Sequence, residues 1–213
     1  MLKIAIAVIA LLMFMATSLT GANWKLDNLE TSIPRLTIKK TFTDTSIEGI
    51  CSSVVVNAKK GYALTAAHCV TAEQNGKVDI NVNNKKGDIL QLLEPLDIAL
   101  VIFKPYENIK QIALAPNSPP AGTEIALLGY PFGDLKVHAQ FGHISVNHSY
   151  DSTTLWLNVD AFFGNSGGPI INQSNELVGM TVIRYSEDGA QLVGAVSVEA
   201  LKVFLEPFLP NDN

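Results

Sequence analysis

The sequence predicts an all-β protein made of two strand-rich halves and one short C-terminal helix. Short runs rich in apolar and β-branched residues alternate with clusters of Asn, Gly, Lys and Pro, and helical periodicity occurs only near the end. A segment at 115–121 interrupts the strand pattern. Because Pro119 and Pro120 cannot donate hydrogen bonds to a central sheet, this segment is predicted to connect the two halves.

The predicted elements follow in chain order. The first half, about 45–114, has strand-like runs at 53–56, 62–65, 78–82 and 98–103. The second half, about 122–198, has runs at 124–128, 136–146, 153–159, 169–172, 177–184 and 191–198. The helix is predicted over 199–209, with an end near the prolines at 207 and 210. Its apolar residues at helical spacing are Leu201, Phe204, Leu205 and Phe208.

Composition excludes several classes of protein. The 213 residues have a formal net charge of −5, 47% hydrophobic content and 16% charged residues, which is untypical of a disordered chain or a coiled coil. Fifteen basic residues stand against twenty acidic ones, and no basic run exceeds two, so no nucleic-acid partner is expected. After these exclusions, the composition is that of an ordinary globular protein.

The first 22 residues are predicted to be a secretory signal peptide. Lys3 precedes an apolar run at 4–16, and small residues lead to Gly21 and Ala22, after which we place the cleavage. The run is shorter than the roughly 20 residues that span a bilayer, so an uncleaved membrane anchor is the weaker alternative. The rest of the chain, 23–213, is predicted to be one exported domain that is secreted or periplasmic. We expect no membrane contact after the signal is removed.

Three short motifs suggest nucleophilic chemistry. They are TAAHC at 65–69, DIAL at 97–100 and GNSGGP at 164–169. A serine needs a neighbouring base to become a nucleophile, a histidine can serve near neutral pH, and a carboxylate can fix the tautomer of that histidine. Backbone N–H groups around a serine flanked by glycines can hold an oxyanion. Each motif alone is common in structural roles, but together they indicate His68, Asp97 and Ser166.

The order of these residues separates classes of serine hydrolase. The segment 164–168 also fits the Gly-x-Ser-x-Gly elbow of α/β-hydrolases, but that fold needs a histidine after the serine, and none follows Ser166. A subtilisin-like order would need an acid before His68. Asp27 and Asp44 are available there, but neither has a suggestive setting. The order His68, Asp97, Ser166 is the one that trypsin-like enzymes use.

On these motifs the chain resembles a trypsin-like serine endopeptidase, and most closely the protease domain of the bacterial HtrA (Deg) family. The segments LGYPFG at 128–133 and ELVGM at 176–180 are also similar to that family. The resemblance implies two perpendicular six-stranded β-barrels with the active site between them. It implies His68 as general base, Asp97 as its orienting acid and Ser166 as nucleophile, with the N–H groups of Gly164 and Ser166 as the oxyanion hole.

The resemblance also has limits. Asn165 stands where proteases activated by cleavage carry an aspartate, so we expect no activation of the trypsinogen kind. Too few residues follow the helix for a PDZ domain, so none is expected, and the sequence leaves the oligomeric state open.

The two cysteines, Cys51 and Cys69, are predicted to form a disulfide. In an exported chain an even pair is usually bridged, whereas in a reduced compartment it would be two buried thiols. The bridge would attach the His68 segment to the preceding strand.

The specificity pocket is the least determined part. Asp160 lies six residues before Ser166, the spacing of the acid that selects basic residues in trypsin, but it also fits an aspartate that ends a strand. Further pocket candidates are Phe162, Phe163, Val182 and Arg184. Basic, acidic and small apolar preferences all remain open.

No metal or other cofactor is predicted. His138, His143 and His148 have five-residue spacings that alternate faces of a strand and suit no compact zinc site.

The three motifs and the resemblance favour peptide-bond hydrolysis on a protein or peptide substrate as the function. The alternatives are a protease-fold binding protein without turnover and a hydrolase of small esters.

Overall fold

The computed structural model describes residues 24–72, 76–146, 153–187 and 190–209, with the backbone alone for 183–187 and 190–192. The predicted signal peptide and its cleavage site lie outside this part of the chain. No helix within the described ranges is long and apolar enough to cross a membrane.

The first half forms one seven-stranded antiparallel sheet in the order β2-β1-β5-β6-β7-β4-β3. Its strands are β1 (Arg35–Thr41), β2 (Ser46–Ser52), β3 (Val54–Asn57), β4 (Tyr62–Ala66), β5 (Lys77–Val82), β6 (Lys85–Leu93) and β7 (Ile98–Phe103). The sheet curls so that Cys51 of β2 and Val55 of β3, its two edge strands, belong to one core together with Leu36 and Val101. Alternating apolar residues such as Leu36 and Ile38 in β1 supply the inner face.

The second half is a closed six-stranded barrel in the order β10-β13-β12-β11-β8-β9. Its strands are β8 (Glu124–Gly129), β9 (His138–Val146), β10 (Thr154–Asn158), β11 (Pro169–Ile171), β12 (Leu177–Glu187) and β13 (Ala190–Ser197). Leu127, Leu157 and Ile170 belong to its fully buried interior. The predicted all-β class and the six-stranded barrel of the second half are confirmed. The first half has seven strands in a curled sheet rather than six in a closed barrel, and the pair is consistent with a trypsin-like double barrel.

A third apolar cluster joins the two halves and holds the terminal helix. It combines Leu64 and Leu100 of the first sheet with Leu128 of the barrel and Leu201 of the helix. The four-residue helix α1 (Ala67–Val70) follows β4, and α2 (Val198–Leu205) closes the chain. Ser197 caps α2 by accepting a hydrogen bond from Ala200 N at 3.3 Å.

Three strands were not predicted from the sequence: β1, β2 and β6. The first four residues of β2 are exposed, as are six of the nine residues of β6, so neither strand has a continuous apolar run. The first sheet starts at Arg35, ten residues before the predicted start near 45, and α2 ends at Leu205.

The N-terminal segment before β1 is attached to the barrel through Tyr130. The Tyr130 hydroxyl donates to Ile33 O at 2.7 Å from a nearly buried position. Burial, with a smaller contribution from neighbouring acidic groups, raises the pKa of Tyr130 to about 12.

Candidate active site

His68 and Asp97 meet because their strands are neighbours. His68 lies in α1, directly after β4, and Asp97 directly precedes β7, which pairs with β4 so that Ala66 faces Ile98. The two oxygens of the Asp97 carboxylate contact the same residue: Oδ1 accepts from His68 N at 2.7 Å, and Oδ2 lies 2.6 Å from His68 Nδ1. Asp97 O also accepts from Ala67 N at 3.0 Å. Asp97 thus accepts hydrogen bonds from the N-terminal end of α1 and orients the imidazole.

This contact assigns the tautomer of the ring. An ionised carboxylate only accepts hydrogen bonds, so Nδ1 of His68 donates, and in the neutral ring Nε2 carries the lone pair. Asp97 has a φ of 55°, which a residue other than glycine rarely adopts. Such left-handed residues cluster at functional sites when the surrounding bonds hold them.

Two further contacts fix the backbone around His68. Cys51 at the end of β2 is joined to Cys69 by a disulfide, with their Cα atoms 6.4 Å apart, which confirms the predicted pairing. Lys40 of β1 donates from Nζ to His68 O at 2.8 Å. A cavity of about 770 Å³ opens beside the imidazole and is lined in part by Lys40, Phe42 and Glu94.

Ser166 lies in the turn between β10 and β11, and its backbone is attached to the first sheet. Ser166 O accepts from Ser52 N at 2.9 Å. The next residue, Gly167, has a φ of 80° and packs so closely on Thr65 Oγ1 that no Cβ would fit. Because Thr65 precedes His68 by three residues in β4 and α1, this packing brings the serine turn to the His68 side of the domain. Among the described residues, no hydrogen bond joins the Ser166 hydroxyl to His68.

The backbone of the serine turn presents two unused donors. Phe163 O accepts from Phe132 N at 2.6 Å, and Asn165 O accepts from Gly168 N at 2.8 Å. In a trans peptide the following N–H points opposite to the carbonyl, so the N–H groups of Gly164 and Ser166 point away from these bonds. Neither donates to a carbonyl within the part of the chain that the structure describes. Gly164 has a φ of 99°, which favours glycine.

Sequence reasoning missed Ser52, which connects three parts of the site. Its fully buried hydroxyl donates to Gly164 O at 2.7 Å and accepts from Tyr130 N at 2.9 Å. Its own carbonyl accepts from Thr65 Oγ1 at 2.8 Å. The available signal was a polar pair, Ser52-Ser53, between a cysteine and an apolar run. Buried hydroxyls are hydrogen-bonded as a rule, so such a pair next to apolar residues indicates specific partners.

A family model described as a trypsin-like peptidase domain matches residues 51–180 of this sequence. The chain belongs to this family.

Several curated periplasmic proteases are similar to this trypsin-like domain. The periplasmic pH-dependent serine endoprotease DegQ of Escherichia coli (strain K12) is 30% identical over 155 residues, which cover 68% of the chain and 33% of DegQ. The probable periplasmic serine protease do/HhoA-like of Haemophilus influenzae is 30% identical over 153 residues, with the same two shares. The periplasmic serine endoprotease DegP of Salmonella typhimurium is 28% identical over 151 residues, or 66% of the chain and 31% of DegP. The chain spans about a third of these relatives, and the resemblance to HtrA-type protease domains is confirmed.

In this trypsin-like domain the pocket candidates lie in different surroundings. Asp160 is exposed after β10, and Val182 of β12 packs on the core of the first sheet and on the cluster that joins the two halves. Phe162 packs on Phe132 with ring centroids 4.9 Å apart, whereas Phe163 is 85% exposed. Arg184 belongs to the backbone of β12, and its side chain lies outside the described part.

His138 and His143 belong to β9, whereas His148 lies outside the described residues. His138 Nε2, at the start of β9, lies 2.8 Å from Oδ2 of Asp134 on the preceding segment, and both side chains are exposed. This hydrogen bond, together with one from Leu135 N, holds the pKa of Asp134 below its usual value. Near His68 the only sulfur ligands among the described residues are Cys51 and Cys69, whose disulfide leaves no thiolate for a metal.

Proposed function

We propose that this chain is an exported serine endopeptidase that cleaves peptide bonds through an acyl-enzyme intermediate. The bond between His68 Nδ1 and the Asp97 carboxylate carries the proposal, because it leaves Nε2 available to accept a proton. The attachment of the serine turn to Ser52 and Thr65 supports the choice of Ser166 as nucleophile. Family membership supports a protein or peptide substrate.

The proposed reaction uses these groups in sequence. Nε2 of His68 takes the hydroxyl proton while Ser166 Oγ attacks the scissile carbonyl carbon, and the N–H groups of Gly164 and Ser166 stabilise the oxyanion. His68 then gives the proton to the leaving amine. A water molecule, activated by the same imidazole, hydrolyses the acyl-enzyme. Asp97 remains ionised and stabilises the imidazolium.

The predicted destination is the periplasm or the medium. The apolar run at 4–16 favours export, and the three relatives named above are periplasmic proteases. A disulfide beside His68 agrees with an oxidising compartment. We also propose that activation does not follow the trypsinogen pattern, because the buried Asn165 offers no charge and its Nδ2 donates to Gln140 Oε1 at 3.4 Å.

A binding protein of the same fold is the second candidate. One observation favours it: the Ser166 hydroxyl makes no hydrogen bond to His68 among the described residues. Catalytic hydrogen bonds often tighten only when substrate binds, so this gap is compatible with an enzyme.

Labelling with a fluorophosphonate tests the proposal directly. We expect Ser166 to be modified in the wild type, no modification in Ser166→Ala, and a strong decrease in His68→Ala. Ser174→Ala, which removes an exposed hydroxyl from a turn beyond β11, is the matched control and should label normally. A folded wild type that does not label favours the binding protein.

Two assays on the same variants distinguish the remaining hydrolases. Hydrolysis of casein that exceeds hydrolysis of a small ester favours a peptidase, and the reverse favours an esterase. Activity should decline below about pH 6–7, where histidines ordinarily gain a proton and stop acting as bases. A rate that is flat through this range contradicts the role of His68.

A further inference from the structure

Two aromatic side chains beside the serine turn are exposed to an unusual degree. Phe132 is 75% exposed and Phe163 is 85% exposed, although both are large and apolar. We call this pair the aromatic rim. Phe132 also has a φ of 55°, in the left-handed region that bulky residues rarely adopt. Exposed apolar surface held in a strained conformation is typical of a binding site.

The aromatic rim forms one wall of a cavity between the two halves. The cavity measures about 380 Å³, within the usual range for ligand sites. Phe132, Phe163 and Gly164 line it on the barrel side, and residues of β1 and β2, including Ile50, line it on the first-sheet side. Gly164 is the proposed oxyanion donor, so any group that fills the cavity lies next to the reacting carbonyl.

The rim is fixed to the same peptide units that would bind the oxyanion. Phe132 N donates to Phe163 O at 2.6 Å, and Phe163 O belongs to the peptide whose N–H is that of Gly164. Phe162 supports the Phe132 ring from the barrel side. From the first sheet, Arg35 donates to Gly133 O at 3.2 Å. The wall is therefore preorganised, which reduces the entropy lost when a side chain binds to it.

The position of His68 decides which end of a substrate reaches this cavity. The acyl part of a peptide stays on Ser166, whereas the leaving amine takes its proton from His68, which the first sheet carries. The part of the peptide after the scissile bond therefore lies along the first sheet. Because β1 and β2 of that sheet form the far wall of the cavity, this part of the substrate is the one that reaches it.

We propose that the aromatic rim binds a large apolar side chain at one of the first two residues after the scissile bond. The substrates are then proteins or peptides that carry Phe, Leu or a similar residue there. This inference rests on the proposed endopeptidase function and adds a selectivity on the leaving side. Full burial of such a side chain changes a binding constant by about 10- to 100-fold relative to an exposed one.

The test is a cleavage-site profile of a mixed peptide library, read by mass spectrometry, with the purified wild type and three variants. We expect large apolar residues to be enriched about tenfold after the cleaved bond in the wild type. Phe163→Ala and Phe132→Ala should lower the enrichment several-fold. Val203→Ala, a 74% exposed apolar residue on α2, is the matched control and should retain it. The enrichment is a ratio of cleavage sites within each sample, so a variant that cleaves more slowly does not change it.

Fluorophosphonate labelling of the same samples separates the two proposals. The probe has no peptide on its leaving side, so labelling of Ser166 reports the proposed catalytic groups without the rim; we expect it in the wild type and, at an unchanged rate, in Val203→Ala. Normal labelling without apolar enrichment, or enrichment that survives both rim substitutions, overturns the inference and leaves the proposed function intact. Absence of labelling and of cleavage in the wild type overturns both.

A second copy of this chain is the competing occupant of the rim. Sedimentation velocity of the wild type and Phe163→Ala decides between them. We expect the same sedimentation coefficient for both. A wild-type dimer that dissociates on this substitution assigns the rim to self-association and overturns the inference.

Discussion

Replacement of Asp97 by asparagine tests how much of the proposed catalysis depends on one carboxylate. The Asp97 carboxylate accepts two hydrogen bonds from His68, one from the backbone N at 2.7 Å and one from Nδ1 at 2.6 Å. Asparagine has a single acceptor oxygen and an amide that donates. The backbone N–H cannot change its role, so the oxygen stays with it and the amide faces Nδ1.

The consequence is the wrong tautomer of His68. An Nδ1 that accepts from the amide leaves the proton on Nε2, which then has no lone pair for the Ser166 hydroxyl. In a characterised triad the same substitution lowers kcat by about 10⁴-fold, which corresponds to ~5.5 kcal/mol of activation free energy. Stability should change far less, by about 1–2 kcal/mol, because the two charge-assisted hydrogen bonds of the carboxylate are replaced by neutral ones.

The assay compares the second-order rate of fluorophosphonate labelling with the midpoint of urea unfolding. Asp97→Asn should lose several orders of magnitude in labelling, and its urea midpoint should fall only by the amount that about 1–2 kcal/mol of stability represents. Asp134→Asn is the matched control, because it alters the exposed His138 pair in the same way and should label like the wild type. A labelling rate for Asp97→Asn within about tenfold of the wild type refutes the proposed role of Asp97.

Three further predictions concern the framework of the site. The folded pKa of Tyr130, about 12, is raised above the ordinary value of 10.0, so its stabilisation is complete below pH 10 and is lost as pH rises through 12. Between about pH 8 and about pH 11 this ionisation should lower the unfolding free energy from urea titration by about 1.4 kcal/mol, and Tyr130→Phe should remove that part of the decrease. Ser52→Ala should cost about 1–3 kcal/mol of stability and lower labelling of the serine turn; Ser53→Ala, which loses an equally buried bond at 2.8 Å to the segment before β1, should keep normal labelling. The double variant Cys51→Ala/Cys69→Ala removes a disulfide that closes a loop between residues 18 positions apart. A loop of this length predicts that the unfolding free energy falls by about 3 kcal/mol, and an unchanged urea midpoint contradicts this.

Much of the fold could be predicted from local sequence. The run at 98–103 is apolar throughout and is strand β7, and the runs at 62–65 and 124–128 differ from β4 and β8 by one residue each. A mostly buried strand must be apolar at most positions, so the pattern alone identifies it. Strands β2 and β6 are mostly exposed and carry polar residues, so only their pairing with neighbours in the sheet identifies them.

The candidate site likewise has some features that the sequence predicts and others that only the folded chain shows. The residue types and their order, His68 then Asp97 then Ser166, are properties of the sequence, and they separated the trypsin-like reading from the other serine hydrolases. The role of Ser52 could not be predicted from local sequence, because its two side-chain hydrogen bonds reach residues 112 and 78 positions away. The left-handed backbone of Asp97 and the exposure of the aromatic rim also became visible only in the folded chain. Sequence determines which chemical groups are available, whereas contacts between distant segments decide their directions, because a direction depends on every strand that packs around the group.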